Sequence, residues 1–411
     1  MISEQFVRSL PKTDLHVHLD GSLRLGTLIE LARERKVKLP SMTQSGLRKL
    51  VFKDRYRSLP EYLQGFGLTV GVMQDAEALE RVAYELAEDN YQEGVRYFEV
   101  RFAPQLHSSR TMDMRTVLQA VDRGLARATR RANRRKAIRD GREPEYKCAI
   151  TVCALRYFVA AMSPYYDELF RVHPFTRHDD LYGLASLELA RAAVAIRDRY
   201  GVPITGFDLA GRESGFPAED HWRAYDVAQR NFLHKTVHAG EAYGPESIFQ
   251  AITDLHADRI GHGYYLFNTR MIKNPRIKDK QEYVRALSEY VADRRITIEV
   301  CLSSNLQTNP KLTNLSRHTF RQLRAQRLST TLCTDNRLVS NTSVTKEVML
   351  AIEHFGLSAH ELKNIVIYGF KRSFFPGSYT AKRDYVRQVI DYYERVTAAA
   401  AETADAAARP G

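Results

Sequence analysis

The chain has 411 residues, 44% of them hydrophobic and 27% charged, with a formal net charge of +12. This is the composition of a folded globular protein. It excludes a bilayer-spanning helix, because the longest apolar stretch, 148–162, is interrupted by Arg156 and is too short.

The N-terminus, MISEQFVRSLPKTDLHVHLDG, has no basic region followed by an apolar core, so no secretory signal is expected. The first predicted strand, 12–19, alternates Leu15, Val17 and Leu19 with His16 and His18. Successive strand side chains face opposite ways, so the apolar set packs outward while both imidazoles point inward. Two imidazoles at i and i+2 converge on one cation or pair as structural, hydrogen-bonded histidines. A helix over 25–35 follows, then an extended segment, 36–75, in which Leu59, Tyr62 and Phe66 recur at helical spacing. That spacing suits core packing or a segment covering a site. A helix over 76–93 leads to a second strand, 95–102.

Much of the positive charge lies in 123–147 (RATRRANRRKAIRDGREPEYK). Without interleaved aromatics or a known nucleic-acid module, it reads as a solvated outer helix and loop, and no nucleic-acid partner is expected. The third strand, 146–156, is followed by an aromatic-rich insertion, 157–184, and a helix over 185–200. The remaining strands are expected at 204–211, 235–241, 259–264, 296–304 and 328–336, with a helix over 280–294. Cys148, Cys153, Cys301 and Cys333 lie in apolar runs with no pairing pattern, which suits reduced thiols in a cytoplasmic protein. Residues 397–411 are Ala-rich and are expected to form a frayed or disordered tail.

Eight strands alternating with helices predict the α/β class and a (β/α)₈ TIM barrel. Extra helices would follow strand 1 and an insertion strand 3, in a single domain over 1–396. In such a barrel, reactive groups belong at the C-terminal strand ends. The fifth strand ends in VHAGE (His238, Glu241), the sixth in IGHGY (His262) and the eighth in CTDN (Asp335, Asn336). Any one of these alone could be a core histidine or a helix cap. Their agreement with His16 and His18 points to a metal-assisted hydrolase.

PKTDLHVHLDGS, FDLAG, VHAGE, RIGHGY, CLSSNLQT and TDN occur in the order and approximate spacing of the adenosine deaminase family of the amidohydrolase superfamily, which this chain resembles from about Leu10 to Phe375. The resemblance implies that His16, His18, His238 and Asp335 hold one Zn²⁺ per chain; the residue types also suit Fe, Co or Mn. It implies that His262 accepts a proton from the attacking water or holds the resulting hydroxide in line. Glu241 would protonate purine N1. His18, Asp20, Gly211 and Asn336 would contact the substrate: Gly211 by its backbone at N3, Asp20 at the ribose 5′-hydroxyl. The segment with Leu59, Tyr62 and Phe66 resembles the family's substrate cover. Two positions depart from the family: Asn336 replaces the second of two aspartates, and Leu302 stands where proline is common, a packing variation. An Asn carries an NH₂ donor at every pH, so Asn336 suits purine N7.

The expected reaction is deamination of adenosine and 2′-deoxyadenosine to inosine and 2′-deoxyinosine, with a small purine nucleoside as partner and the oligomeric state left open. Rival substrates are adenine, 6-amino-6-deoxyfutalosine and N6-substituted adenine nucleotides, Asp20 arguing against a 5′-phosphate. A non-catalytic purine-binding protein is the remaining alternative. A two-metal hydrolase would need a bridging lysine on the fourth strand, and FDLAG has none.

Overall fold

The apolar runs become strands buried on both faces along nearly their whole length, as a parallel sheet covered by helices requires. The computed structural model describes residues 2–408. The strands are β1 Lys12–His18, β2 Val95–Phe102, β3 Lys147–Leu155 and β4 Ile204–Ala210. They continue with β5 His234–Ala239, β6 Arg259–His262, β7 Thr297–Val300 and β8 Thr330–Leu332. All pair parallel in chain order from β1 to β8. A single bridge between Val17 and Asp335 closes the barrel. There His18 N–H donates to Asp335 O and Asp335 N–H to His16 O, each at 2.7 Å.

Leu15, Val17 and Leu19 join the core formed with the surrounding helices, while His16 lies on the other face, fully buried. The helices Leu25–Glu34, Ala76–Gln92 and Lys280–Asp293 lie where the periodicity sets them. The extended segment after β1 carries the helices Gln44–Leu50 and Leu59–Val72. The insertion after β3 carries the helix Pro164–Val172 and the first turns of His178–Tyr200.

β7 and β8 fall furthest short of their expected lengths, for local reasons. β7 stops at Val300, and the CLSSN stretch turns into the helix Leu302–Thr308. β8 stops at Leu332; past it only Asp335 pairs with β1, and it does so with a left-handed backbone, φ +59°. Part of the basic run forms the end of the helix Met114–Asn133, where Arg123 and Arg127 pair with Glu80 at 3.0 and 3.1 Å and Arg131 with Glu88 at 3.1 Å. The final helix, Tyr379–Ala408, takes in most of the stretch expected to fray, since alanine is the best helix former; 409–411 lie outside the described residues. All four cysteines are free thiols.

The entry into β2 depends on Gly94, at φ +92°, where a Cβ would come within 2.2 Å of the Arg8 carbonyl. Gly94→Ala is therefore expected to destabilise the protein by about 2 kcal/mol or more, read as a lowered midpoint in denaturant.

Candidate active site

Strand geometry brings every predicted metal ligand to one end of the barrel. β1 delivers His16 and His18, β5 delivers His238 and β6 ends on His262. Asp335 lies just past β8, Glu241 two residues past β5. Asp335 and His262 are non-glycine residues at positive φ, +59° and +65°. Such backbone persists only where the surroundings over-determine it, and it clusters at functional sites. Gly261 makes room for the site: a Cβ there would stand 3.0 Å from the His16 ring.

The rings converge. His18 Nε2 and His238 Nε2 are 3.1 Å apart, and Asp335 Oδ1 lies 3.4 Å from His16 Nε2 and 3.5 Å from His18 Nε2. His16 Nε2 is buried without a hydrogen-bond partner. The opposite nitrogens are held from below by residues the sequence reading passed over. His16 Nδ1 donates to Glu299 at 2.9 Å, and His238 Nδ1 meets the Asp208 carboxylate at 3.1 Å. Glu299 and Asp208 belong to a buried ion network filling the barrel. Arg101 binds Asp208 at 3.0 Å and Glu299 at 2.9 Å. Arg259 binds Glu299 at 2.6 Å, pairs with Glu99 and lies 3.5 Å over the Phe374 ring. The signal that could have found them is charge inside strands otherwise apolar, as in VRYFEVRF and ITIEV.

Electrostatics follow burial and neighbours. Burial holds His18 well below the usual imidazole range, reinforced by His238 and His16 against Asp335. Burial also lowers His238, against Asp208. For Asp335, burial is outweighed by the adjacent His16, His262 and His18 rings, which keep the carboxylate ionised. Burial pushes Glu241 well above the ordinary carboxyl range, and Asp335 and Glu213 push it further. Imidazoles lowered at His18 and His238, fixed far nitrogens on His16 and His238, an ionised carboxylate and an orphaned inward His16 Nε2 are what a divalent metal site requires. The residues present fit such an ion.

His16, His238, His262 and Asp335 offer ligand atoms within 4.8 Å of one another. The choice between His18 and His262 follows from a hydrogen-bond relay. The Phe320 backbone N–H donates to His318 Nδ1 at 3.0 Å. Burial pushes His318 down to about 3, so at neutral pH the ring is uncharged. Its single proton therefore sits on Nε2, which donates to Asn305 Oδ1 at 3.1 Å. The Asn305 amide is thereby oriented, and its Nδ2 donates to His262 Nδ1 at 3.1 Å. Burial, with His16 and His238, keeps His262 neutral as well. Its proton thus lies on Nε2, 3.7 Å from Glu241 Oε2. A protonated nitrogen is a donor, not a ligand, so in this arrangement His262 presents a hydrogen to the cavity while His18 Nε2 lies 3.1 Å from His238 Nε2.

These groups open into a cavity of about 930 Å³ that also exposes Asp20, Gly211, Arg212 and Asn336. Leu59, Tyr62 and Phe66 line it together with Tyr157 and Met162 of the insertion. Burial lifts Asp20 to about 7, Asp335 adding to it, and its Oδ1 has no partner. Gly211 takes φ +93°. Asn336 Nδ2 donates to the Tyr62 hydroxyl at 2.8 Å, which in turn pairs with Ser340 at 2.8 Å. The other end of the amide packs on Gly21, where a Cβ would come within 1.8 Å of Oδ1.

The adenosine deaminase family profile matches residues 11–161 and 175–392, leaving out 162–174 inside the insertion. Adenosine deaminase 1 of Streptomyces coelicolor is 37% identical over 372 residues, 90% of this chain and 84% of that protein. The apo structure of the N6-methyl-AMP deaminase from Arabidopsis thaliana superposes with a TM-score of 0.69 at 26% identity, covering 95% of this chain and 98% of that one. Adenine deaminase from Arthrobacter aurescens shares the fold, with a TM-score of 0.71 at 20% identity over 94% of this chain and 99% of the other.

Proposed function

Because the chain belongs to the adenosine deaminase family, we propose that it hydrolyses adenosine and 2′-deoxyadenosine to inosine and 2′-deoxyinosine with release of ammonia, using one Zn²⁺ held by His16, His18, His238 and Asp335. The observation that carries this reading is the pairing of that ligand set with a carboxyl, Glu241, that lines the same cavity and is pushed by burial toward its protonated form. Zinc supplies Lewis acidity, lowering the pKa of a coordinated water from 15.7 toward about 7.

The chain's own residues do the rest. Glu241 gives its proton to purine N1, which turns the ring into an electron sink at C6. His262, with its proton on Nε2, donates to the attacking oxygen and holds it in line. The proton from Glu241 stays on N1 of the 6-oxo product; of the water's two hydrogens, one restores Glu241 and the other leaves with the amino group as ammonia. Gly211, whose positive φ suits a backbone turned toward a ligand, meets N3. Asp20, poised near neutrality, suits an uncharged 5′-hydroxyl. Asn336 has one amide hydrogen on Tyr62 and a second for N7.

A screen of the purified protein against adenosine, 2′-deoxyadenosine, adenine, 6-amino-6-deoxyfutalosine and N6-methyl-AMP, with metal analysis, tests the reading. Ammonia is expected fastest from the two nucleosides; zinc-loaded protein releasing none from any of them would sink it. Arg212 in the cavity wall favours one second reading, an N6-substituted adenine nucleotide with its phosphate on the guanidinium. A preference for N6-methyl-AMP that vanishes in Arg212→Ala would establish that alternative.

Two expected results follow from the titrating groups. Activity should be sustained through neutral pH and fall on the alkaline side, because Glu241 works in its acid form and its pKa is raised. Asn336→Asp should keep its zinc but lose activity at higher pH by about tenfold. An ionised Asp cannot donate to N7, whereas the amide donates at every pH. Unchanged pH profiles would remove Asn336 from the N7 contact.

A further inference from the structure

Glu213 follows Gly211 and Arg212 in the loop after β4, and its side chain is buried, 4% exposed. It reaches the turn that carries Glu241. Oε1 accepts from Gly240 N–H at 2.7 Å, and Oε2 accepts from the N–H groups of Glu241, Ala242 and Tyr243 at 3.0, 2.5 and 2.9 Å. Four successive backbone donors thus converge on one carboxylate. Successive N–H groups share one focus only where the chain curls into a concave nest. Gly240 supplies the curl at φ +71°, where a Cβ would come within 2.6 Å of Ile248 Cδ1. Arg156, buried after β3, fixes the preceding residues, donating to the carbonyls of His238 and Phe216 at 2.8 Å each.

Glu241 itself has no such support. Among the described residues its carboxyl makes no hydrogen bond, and its only ion-pair contact is with His262 at 3.7 Å. The aim of that carboxyl is therefore set by its own backbone, and the backbone is set by Glu213.

We propose that Glu213 is a positioning residue for the proton donor Glu241, acting by clamping the 240–243 turn; the catalytic half of this inference rests on the deaminase reading above. Nothing in the residue type announces the role. Its carboxylate grips the main chain through four hydrogen bonds, and its charge also favours the protonated form of Glu241.

The test is Glu213→Gln in the zinc-loaded full-length protein. Glutamine keeps one acceptor oxygen and replaces the other with an NH₂ that cannot accept. Expected are a kcat lowered by about 10–100-fold, since small misplacements of a reacting group cost this much, a KM within about threefold, and unchanged zinc content. Hydrogen–deuterium exchange should quicken in the peptide spanning 240–244 and stay unchanged at 259–263. In a Glu241→Gln background the same change should cost nothing further, because both act on one step. Glu213→Asp, which keeps both acceptor oxygens on a shorter arm, should fall between wild type and the glutamine variant. An undiminished kcat, an equal further loss in the Glu241→Gln background, or loss of zinc would overturn the proposal. A wild-type enzyme inert toward every purine, yet with slow exchange at 240–243 that Glu213→Gln abolishes, would defeat the deaminase reading and uphold the clamp.

Discussion

Glu241→Gln should lower kcat by a factor of about 10²–10⁴, the span general acid catalysis supplies, while zinc content and thermal stability stay at wild-type values. The substitution is close to isosteric, and the Glu241 carboxyl makes no hydrogen bond among the described residues, so little packing is disturbed. What disappears is a transferable proton. A glutamine NH₂ donates a hydrogen bond to N1 but cannot give the proton up, so the ring is bound without being activated. KM should therefore change far less than kcat. Burial, Asp335 and Glu213 all favour the protonated form of Glu241. The wild-type enzyme should accordingly lose activity as pH rises through this raised pKa, and the glutamine variant's residual rate should lack that limb. Steady-state kinetics across pH, paired with metal analysis, decide the matter. Full activity in the variant would exclude Glu241 as the donor.

Glu299→Gln should be the most damaging single change away from the cavity. Glu299 is fully buried and accepts from Arg101 at 2.9 Å, Arg259 at 2.6 Å, His16 at 2.9 Å and Thr236 at 3.2 Å. Removing its charge leaves two guanidiniums short of a counter-charge in a dry interior, which costs about 3–5 kcal/mol. It also releases His16 from the carboxylate that fixes its ring, and losses of this kind weaken metal binding by about 10–100-fold. Denaturant unfolding and chelator competition read the two effects separately. The wild-type contribution has a definite pH sign. Against burial, Arg101 and Arg259 hold the Glu299 carboxyl below its ordinary range. Its stabilisation is thus complete above the unfolded carboxyl pKa, about 4.3, and is lost as pH falls through the lower folded value. A variant as stable as wild type between pH 5 and 8 would show that the network is not held by this charge.

The parts of the site legible in the sequence share one property: their chemistry is local to a strand end. His16 and His18 announce themselves by alternating with Leu15, Val17 and Leu19, and His238, His262 and Asp335 by standing where apolar runs stop. The supporting residues were not legible, because their roles exist only after closure. Glu299 and Asp208 stand in strands that read as ordinary apolar runs, and only parallel pairing around a ring brings them beneath His16 and His238. Asn305 lies just past the expected end of the seventh strand at Ser304, and the helix that begins at Leu302 turns it toward His262. Glu213 works through main-chain groups, to which side-chain patterns are blind. The strand limits of β7 and β8 were overestimated for a related reason: apolar character continues past Val300 and Leu332 although the backbone has already turned.

The seam between β1 and β8 has a consequence for how the protein is made. His16 and His18 are made with the first strand and Asp335 only after the eighth, so the proposed ligand set cannot exist until all eight strands have been made. Until then the sheet is an open ribbon with two bare edges, the form most exposed to wrong partners. Zinc, by gripping residues from the first strand and from beyond the last, would act as the clasp of a bracelet. It would be fastened last and, under a chelator, be the first place where the ring comes undone.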